Sequence, residues 1–185
     1  MVNRVAWGIT GSGDRLPETV EVMKKIKKSY PDVEIAVYLS KAGERVVKHY
    51  RLMDELRSSF RVRVEIDPNT PFLAGQLQVG RYEFLLIAPA TSNTVAKIAV
   101  GIADSLLSNA AIMALKAFVP VYIMPSDYRE GEVVTKLPDG RELKLRVRKE
   151  DAENVRKLAA MDGVTILEKP EEIFDVFRKH FGDPR

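Results

Sequence analysis

The chain contains no cysteine. Disulfides, thiolate metal sites, cysteine-ligated iron–sulfur clusters and a thiol nucleophile are therefore all excluded. Histidine is nearly as scarce, with two in 185 residues. His49 falls in an amphipathic segment and His180 near the C-terminus, neither beside a partner carboxylate, so both are expected to be structural or solvated. No apolar run reaches the roughly 18 to 20 residues that span a bilayer. The start, "MVNRVAWGIT", leads into strand-like sequence without the apolar core and cleavage site of a signal peptide. A cytoplasmic setting without membrane contact is the expectation. Neither sign of charge dominates: the formal net charge is +3 and acids interleave with bases, as in "RVRKEDAENVRK". That pattern reads as solvated surface, and nucleic acid is not an expected partner.

What is present is alternation. Strand signals at 4–10, 33–40, 61–67, 82–88 and 118–124 are separated by helical periodicity over 16–30, 43–57 and 93–116, with a loop and short helix between 68 and 81. From 132 the chain alternates by two around Pro138-Asp139-Gly140, which predicts a hairpin. A helix, the short strand "GVTIL" and a final helix follow. Such an order implies right-handed crossovers and a parallel sheet covered by helices on both faces. The expected fold is α/β, a Rossmann-like (flavodoxin-like) three-layer sandwich with a β-hairpin insertion near 132–148, forming a single domain over 1–185.

The stretch that packing alone does not explain is "APATSNTVAKIAVGIADSLLSNA", residues 88–110. A core strand runs into Pro89, and then Thr91, Ser92, Asn93 and Thr94 crowd together. Ligands of open parallel sheets bind beyond the carboxyl ends of the strands. Four loops lie at that edge: "TGSGD", "SKAGE", "PATSNT" and "PSDY". Any one is explained by helix capping. Together they supply short donors, close backbone approach and helix N-termini, which suits a phosphate. A dinucleotide fingerprint is incomplete, because Gly11-Ser12-Gly13 lacks its third glycine and the second strand ends in Ser40 rather than an acid. The Walker A lysine is absent too. A mononucleotide phosphate fits these loops better.

The motifs "GITGSG", "LSKAGE", "APATSNTVAKIAVGIADSLLSNA" and "PVYIMP" resemble the flavoprotein superfamily that holds the homo-oligomeric FMN-containing cysteine decarboxylases, the prenylated-flavin synthases and a component of dipicolinate synthase. The resemblance covers about residues 3–126, and the tail "VRKEDAENVRKLAAMDGVTILEKPEEI" is similar to the archaeoflavoprotein and acceptor-type dihydromethanopterin reductase branch. It implies FMN bound by Gly11, Ser12, Gly13, Ser40, Thr91, Ser92, Asn93 and Thr94, and a homo-oligomer, a trimer or a multiple of trimers. The apolar segment 98–119, richer than one helix face needs, agrees with an oligomer.

The departures narrow the activity. The decarboxylases carry a catalytic histidine in the region that here reads "NTPFLAGQLQVGRYEF", and their substrate clamp P-x-M-N-x-x-M-W is replaced by "PSDYREGEV". No catalytic residue is identified, and no metal is expected. The reading that remains is an FMN-dependent electron-transfer flavoprotein or oxidoreductase, fed by ferredoxin or another iron–sulfur carrier and reducing a small-molecule acceptor, such as the pterin dihydromethanopterin. A decarboxylase (lyase) or flavin prenyltransferase of the same superfamily is the alternative. Three secondary expectations follow. Trp7 belongs to the core, and Asp127 and Tyr128 are placed to border the flavin ring. The hairpin's Lys136, Arg141, Lys144, Arg146 and Arg148 form either a solvated ribbon or a docking surface for an acidic carrier.

Overall fold

The computed structural model of the protein describes residues 2–184. Six parallel strands make the main sheet: β1 (Asn3–Ile9), β2 (Val33–Leu39), β3 (Arg61–Val64), β4 (Phe84–Ala90), β5 (Val121–Pro125) and β8 (Val164–Ile166), in the order β3-β2-β1-β4-β5-β8. The central strands are continuous apolar runs because both faces are covered, and every residue of β4 is buried. On one face lie α1 (Leu16–Ser29), α2 (Lys41–His49), α3 (Met53–Ser59) and α8 (Ile173–Phe181), packed on Val5, Trp7, Ile9, Phe84 and Leu86. On the other lie α4 (Leu73–Gln78), α5 (Ser92–Val100), α6 (Leu106–Lys116) and α7 (Lys149–Ala159), packed on Ala6, Tyr38, Leu85, Ile87 and Ile123. The flavodoxin-like three-layer sandwich is the observed architecture. Trp7 is a core residue, fully buried, with its indole N–H donated to the Ala88 carbonyl at 2.8 Å.

Two helical segments are broken where the sequence predicts continuity. The segment 43–57 stops at His49 because Arg51 takes a left-handed conformation (φ 59°). The Leu52 N–H then returns to the Val47 carbonyl and the Arg51 N–H to Lys48, which closes the helix end. That closure normally advertises itself with glycine, and here arginine does the task. The segment 93–116 stops at Val100 by the same motif, with Gly101 (φ 79°) in the left-handed position. Ser105 then caps α6, exchanging hydrogen bonds with Ser108. The two helices are strapped by the Lys97–Asp104 ion pair, 2.8 Å.

Most of the apolar surplus of 98–119 is consumed inside the chain. Leu106, Leu107, Ala110, Ala111 and Ala114 of α6 are buried against the sheet and its neighbouring helices, leaving Val100, Ile102 and Phe118 exposed. Those three exposed apolar side chains are what the segment leaves over for a subunit interface.

The insertion is a separate antiparallel ribbon, β6 (Gly131–Lys136) and β7 (Glu142–Val147), with Val133 opposite Leu145 and Thr135 opposite Leu143. A ribbon of period two has two faces. One carries Val133, Thr135, Leu143 and Leu145; the other carries Glu132, Val134, Lys136, Glu142, Lys144 and Arg146. Three of the five basic residues are paired: Lys144 with Glu132 at 2.7 Å, Arg141 with Asp139 at 2.7 Å and Arg148 with Asp151 at 2.6 Å. The charge of this ribbon is mostly answered locally.

Candidate functional site

The site is built at the carboxyl edge of the sheet, from the ends of β1, β4 and β5. At the end of β1 the chain leaves the core at Thr10, whose side chain is 1% exposed. Its hydroxyl donates to the Pro89 carbonyl at 2.8 Å and accepts the Thr91 N–H at 2.9 Å. Proline has no N–H to give the ladder, and the register of β4 against β5 shifts between Ile87 and Ala90. Thr10 bridges that irregularity and fixes where the Thr91 loop begins. Beyond it, Thr91 caps α5, its hydroxyl accepting from the Thr94 N–H at 3.2 Å. By helix geometry the first-turn N–H groups of Ser92 and Asn93 have no carbonyl within the helix to bond.

These loops enclose a cavity of about 430 Å³, within the roughly 300–1,000 Å³ usual for small-molecule sites. Six of the eight residues expected at the site line it: Gly11, Ser12, Gly13, Thr91, Ser92 and Asn93. Ser40 and Thr94 are outside the lining. Ser40 caps α2 by accepting the Gly43 N–H at 2.9 Å, and Thr94 is buried against Thr91, with 3.1 Å between the two hydroxyl oxygens. Ser126 and Asp127, from the loop after β5, complete the floor. The Ser12 and Ser126 hydroxyls are 2.6 Å apart, and Ser92 Oγ donates to Asp127 Oδ2. Tyr128 lies against the core cluster on the α5–α7 side, and Arg129 is exposed and paired with Glu168 at 3.2 Å.

The roof is the hairpin. Val133, Leu143 and Leu145 line the cavity from above while remaining 36%, 38% and 47% exposed. Half-exposed apolar side chains over a polar floor leave a slot whose two sides differ in chemistry. Tyr50 closes one flank. Its hydroxyl donates to the Lys136 carbonyl at 3.2 Å, pinning the ribbon to the end of α2. Burial, followed by the charges of Asp14 and Glu18, pushes its phenol above the ordinary value. Gly13 leaves room beneath it: a Cβ there would sit 2.3 Å from Tyr50 Oη, so the ring would have to shift. Arg15 braces the floor from outside, bonding the Pro125 carbonyl at 2.8 Å, the Glu168 carbonyl, and Asp14 Oδ2 at 3.1 Å.

Neither histidine lines the cavity. His49 is exposed at the end of α2, and His180 packs on Phe84 with Nε2 2.9 Å from the Tyr122 hydroxyl. Among the described residues no cluster of three or more His, Asp or Glu side chains is arranged to hold a metal ion. Sequence reasoning overlooked Thr10, Tyr50 and the hairpin's apolar face. Ser126 had a signal, since it sits in one of the four polar strand-end loops. Tyr50 had none, since it reads as one more residue of an amphipathic helix.

The chain is similar to several known proteins. An uncharacterized protein of Methanocaldococcus jannaschii is 51% identical, covering 96% of this chain and 95% of its own. The acceptor-type dihydromethanopterin reductase of the same organism is 34% identical, covering 94% and 95%. The crystal structure of Burkholderia xenovorans DmrB in complex with FMN, described as a cubic protein cage for redox transfer, superposes with a TM-score of 0.82. Its identity is 31%, and the match covers 97% of this chain and 95% of DmrB. The model of the Flavoprotein family matches residues 2–180, and the chain belongs to that family.

Proposed function

We propose that this protein binds FMN in the cavity under the hairpin and works as an FMN-dependent oxidoreductase. Its electrons come from ferredoxin or another iron–sulfur carrier and go to a small acceptor, a pterin of the dihydromethanopterin kind. The observation that carries the cofactor is the two-sided slot. The Gly11–Gly13 backbone, the first turn of α5 and the hydroxyls of Ser12, Thr91 and Ser92 suit a phosphate and a polyol chain. Val133, Leu143 and Leu145 suit the face of a planar aromatic ring. Ser40 and Thr94 set the two helix N-termini behind that floor. The redox assignment rests on the likeness to the dihydromethanopterin reductase and to DmrB.

When bound, FMN supplies one- and two-electron chemistry. The chain's own residues bind its polar end, cover its ring and exclude water beneath the ribbon. No histidine lines the cavity, so a decarboxylase mechanism would lack the acid that its family relatives use. A homo-oligomer is part of the same proposal, in keeping with the cage formed by DmrB.

The test is direct. The chromophore released on denaturation is identified, and the holoprotein is then mixed anaerobically with reduced ferredoxin and with a tetrahydropterin-forming acceptor. Release of FMN, bleaching by the carrier and reoxidation by the pterin are the expected results. A different nucleotide, or bleaching by no iron–sulfur carrier at any salt concentration, refutes the proposal.

A further inference from the structure

A second cavity, of about 520 Å³, adjoins the first. The two share Gly13, Asp14, Tyr50, Thr135 and Leu137 as lining, so these residues stand on their common boundary. Tyr50 is the bulkiest of them, and it is held on three sides. Its backbone is fixed just past the end of α2, with its N–H on the Val46 carbonyl at 2.9 Å and the left-handed Arg51 immediately after. Its hydroxyl donates to the Lys136 carbonyl of the ribbon at 3.2 Å. Its edge lies on the Gly13 backbone, so closely that a Cβ added there would sit 2.3 Å from Oη and 2.5 Å from Cε2.

We propose that the Tyr50 ring is the wall that restricts this site to a mononucleotide and shuts out the dinucleotide FAD. The proposal rests on the FMN reading given above. On that reading the phosphate lies at the Gly11–Gly13 loop, and the ring packed on Gly13 stands beside it. FAD continues from that same phosphate, through a second one, into adenosine. Its continuation would have to pass where the Tyr50 ring is. Selectivity of this kind comes from an obstacle to the wrong ligand, with no added attraction for the right one.

Space is not what the outer cavity lacks, since at about 520 Å³ it exceeds the 430 Å³ of the site itself. Nor does charge decide the matter. The outer lining carries two carboxylates, Asp14 and Glu18, and two cations, Arg15 and Lys136. These balance, so a second phosphate would be neither drawn in nor repelled strongly. What is missing is the passage, and the ring occupies it. The broken dinucleotide fingerprint points the same way, with Asp14, Arg15 and Leu16 following Gly13 in place of a run toward a third glycine.

The full-length apoprotein is titrated separately with FMN and FAD by flavin fluorescence, and the ratio of the two dissociation constants is the readout. The parent should favour FMN by about a hundredfold or more, and Tyr50→Ala should narrow that ratio by about tenfold or more through tighter FAD binding. Tyr50→Phe keeps the ring and should keep the ratio within about threefold. Tyr50→Leu, smaller than the ring but still apolar, carries the same test should the alanine variant not fold. The chromophore released from the purified proteins gives a second reading: FMN from the parent, and FMN with FAD from Tyr50→Ala. An unchanged ratio in the alanine and leucine variants would overturn the proposal, as would a parent that binds FAD as tightly as FMN. Weaker FMN binding with no gain for FAD would also overturn it, by making Tyr50 a cofactor-holding group. Failure of the parent to bind FMN at all would instead remove the cofactor reading on which the proposal depends.

Discussion

Thr10→Val is the substitution that best tests how the site is held. The exchange keeps the shape of a side chain that is 1% exposed and removes one atom's hydrogen-bonding capacity. Two bonds are lost, and they are not equivalent. The Pro89 carbonyl loses the hydroxyl at 2.8 Å but keeps the Thr10 N–H at 3.3 Å. The Thr91 N–H loses its 2.9 Å acceptor and is left without a partner. An orphaned donor costs about 1–3 kcal/mol, and the added methyl returns about 0.8 kcal/mol of burial. The net expectation is a loss of about 0.2–2 kcal/mol, read as a lower urea midpoint with an unchanged slope. Since the Thr91 loop is part of the cavity wall, FMN affinity should fall by about tenfold, the equivalent of about 1.4 kcal/mol. Thr10→Ser is the control: it sacrifices a methyl and some stability but keeps both bonds, so its FMN affinity should match the parent. Equal FMN affinities in the valine and serine variants would refute the reasoning.

Gly43→Ala should destabilise the protein despite its better helix propensity, because the new Cβ would lie 2.2 Å from the Ile9 carbonyl oxygen. A melting curve should show a net loss of about 1–2 kcal/mol, whereas Gly75→Ala, in open space on α4, should gain about 0.5–1 kcal/mol. Leu145→Asp, on a roof position 47% exposed, should leave the melting temperature nearly unchanged while lowering FMN affinity about tenfold, measured by fluorescence titration. His180 is held below the ordinary imidazole range by burial and then by Lys179, against a smaller opposing pull from Glu83. Its contribution is complete above the unfolded value of about 6.5 and is lost as pH falls, because the unfolded chain takes the proton more readily. Denaturant midpoints between pH 8 and pH 5 should therefore decline less steeply for His180→Gln than for the parent.

The sheet and its helices were legible because their signals are local. Apolar runs such as "FLLIA" and capped amphipathic stretches declare themselves within a dozen residues. The two missed helix breaks differ in kind. Gly101 was a readable stop signal inside a run of small residues, whereas Arg51 adopts a glycine's conformation with no glycine present. The polar floor was legible as four loops at one sheet edge, since topology brings strand ends together whatever their separation. The roof was not. The faces of the ribbon follow from alternation, but which face turns toward the cavity depends on how the ribbon leaves β5 and enters α7, and no local pattern encodes that. Its basic residues left two readings open for a related reason: Lys144 meets Glu132 only across the ladder, so the compensation is invisible along the chain.

A chain without cysteine must hold its loops with bonds that are individually weak, and the position of those bonds decides which part of the site is firm. The floor is tied by side-chain-to-backbone bonds from distant elements. Glu65, just after β3, accepts the Lys41 N–H at 2.9 Å and the Leu106 N–H at 2.7 Å, so one carboxylate anchors the N-termini of α2 and α6. Arg15 ties the loop after β1 to the end of β5 and to the segment after β8. Thr10 ties β1 to the start of the Thr91 loop. Each crosses layers or strands, so no single fluctuation releases the floor. The roof is a two-stranded ribbon, a unit that is marginal on its own, and its cross-link to α2 is the Tyr50 hydroxyl on the Lys136 carbonyl. Its apolar face becomes fully dry only with a ligand beneath it. On the reading proposed above, the floor is organised by the chain's own bonds, while the exposed apolar face of the roof would gain contacts from the ligand it covers. On that reading the cost of ligand exchange falls on the ribbon and leaves the proposed phosphate-binding floor undisturbed.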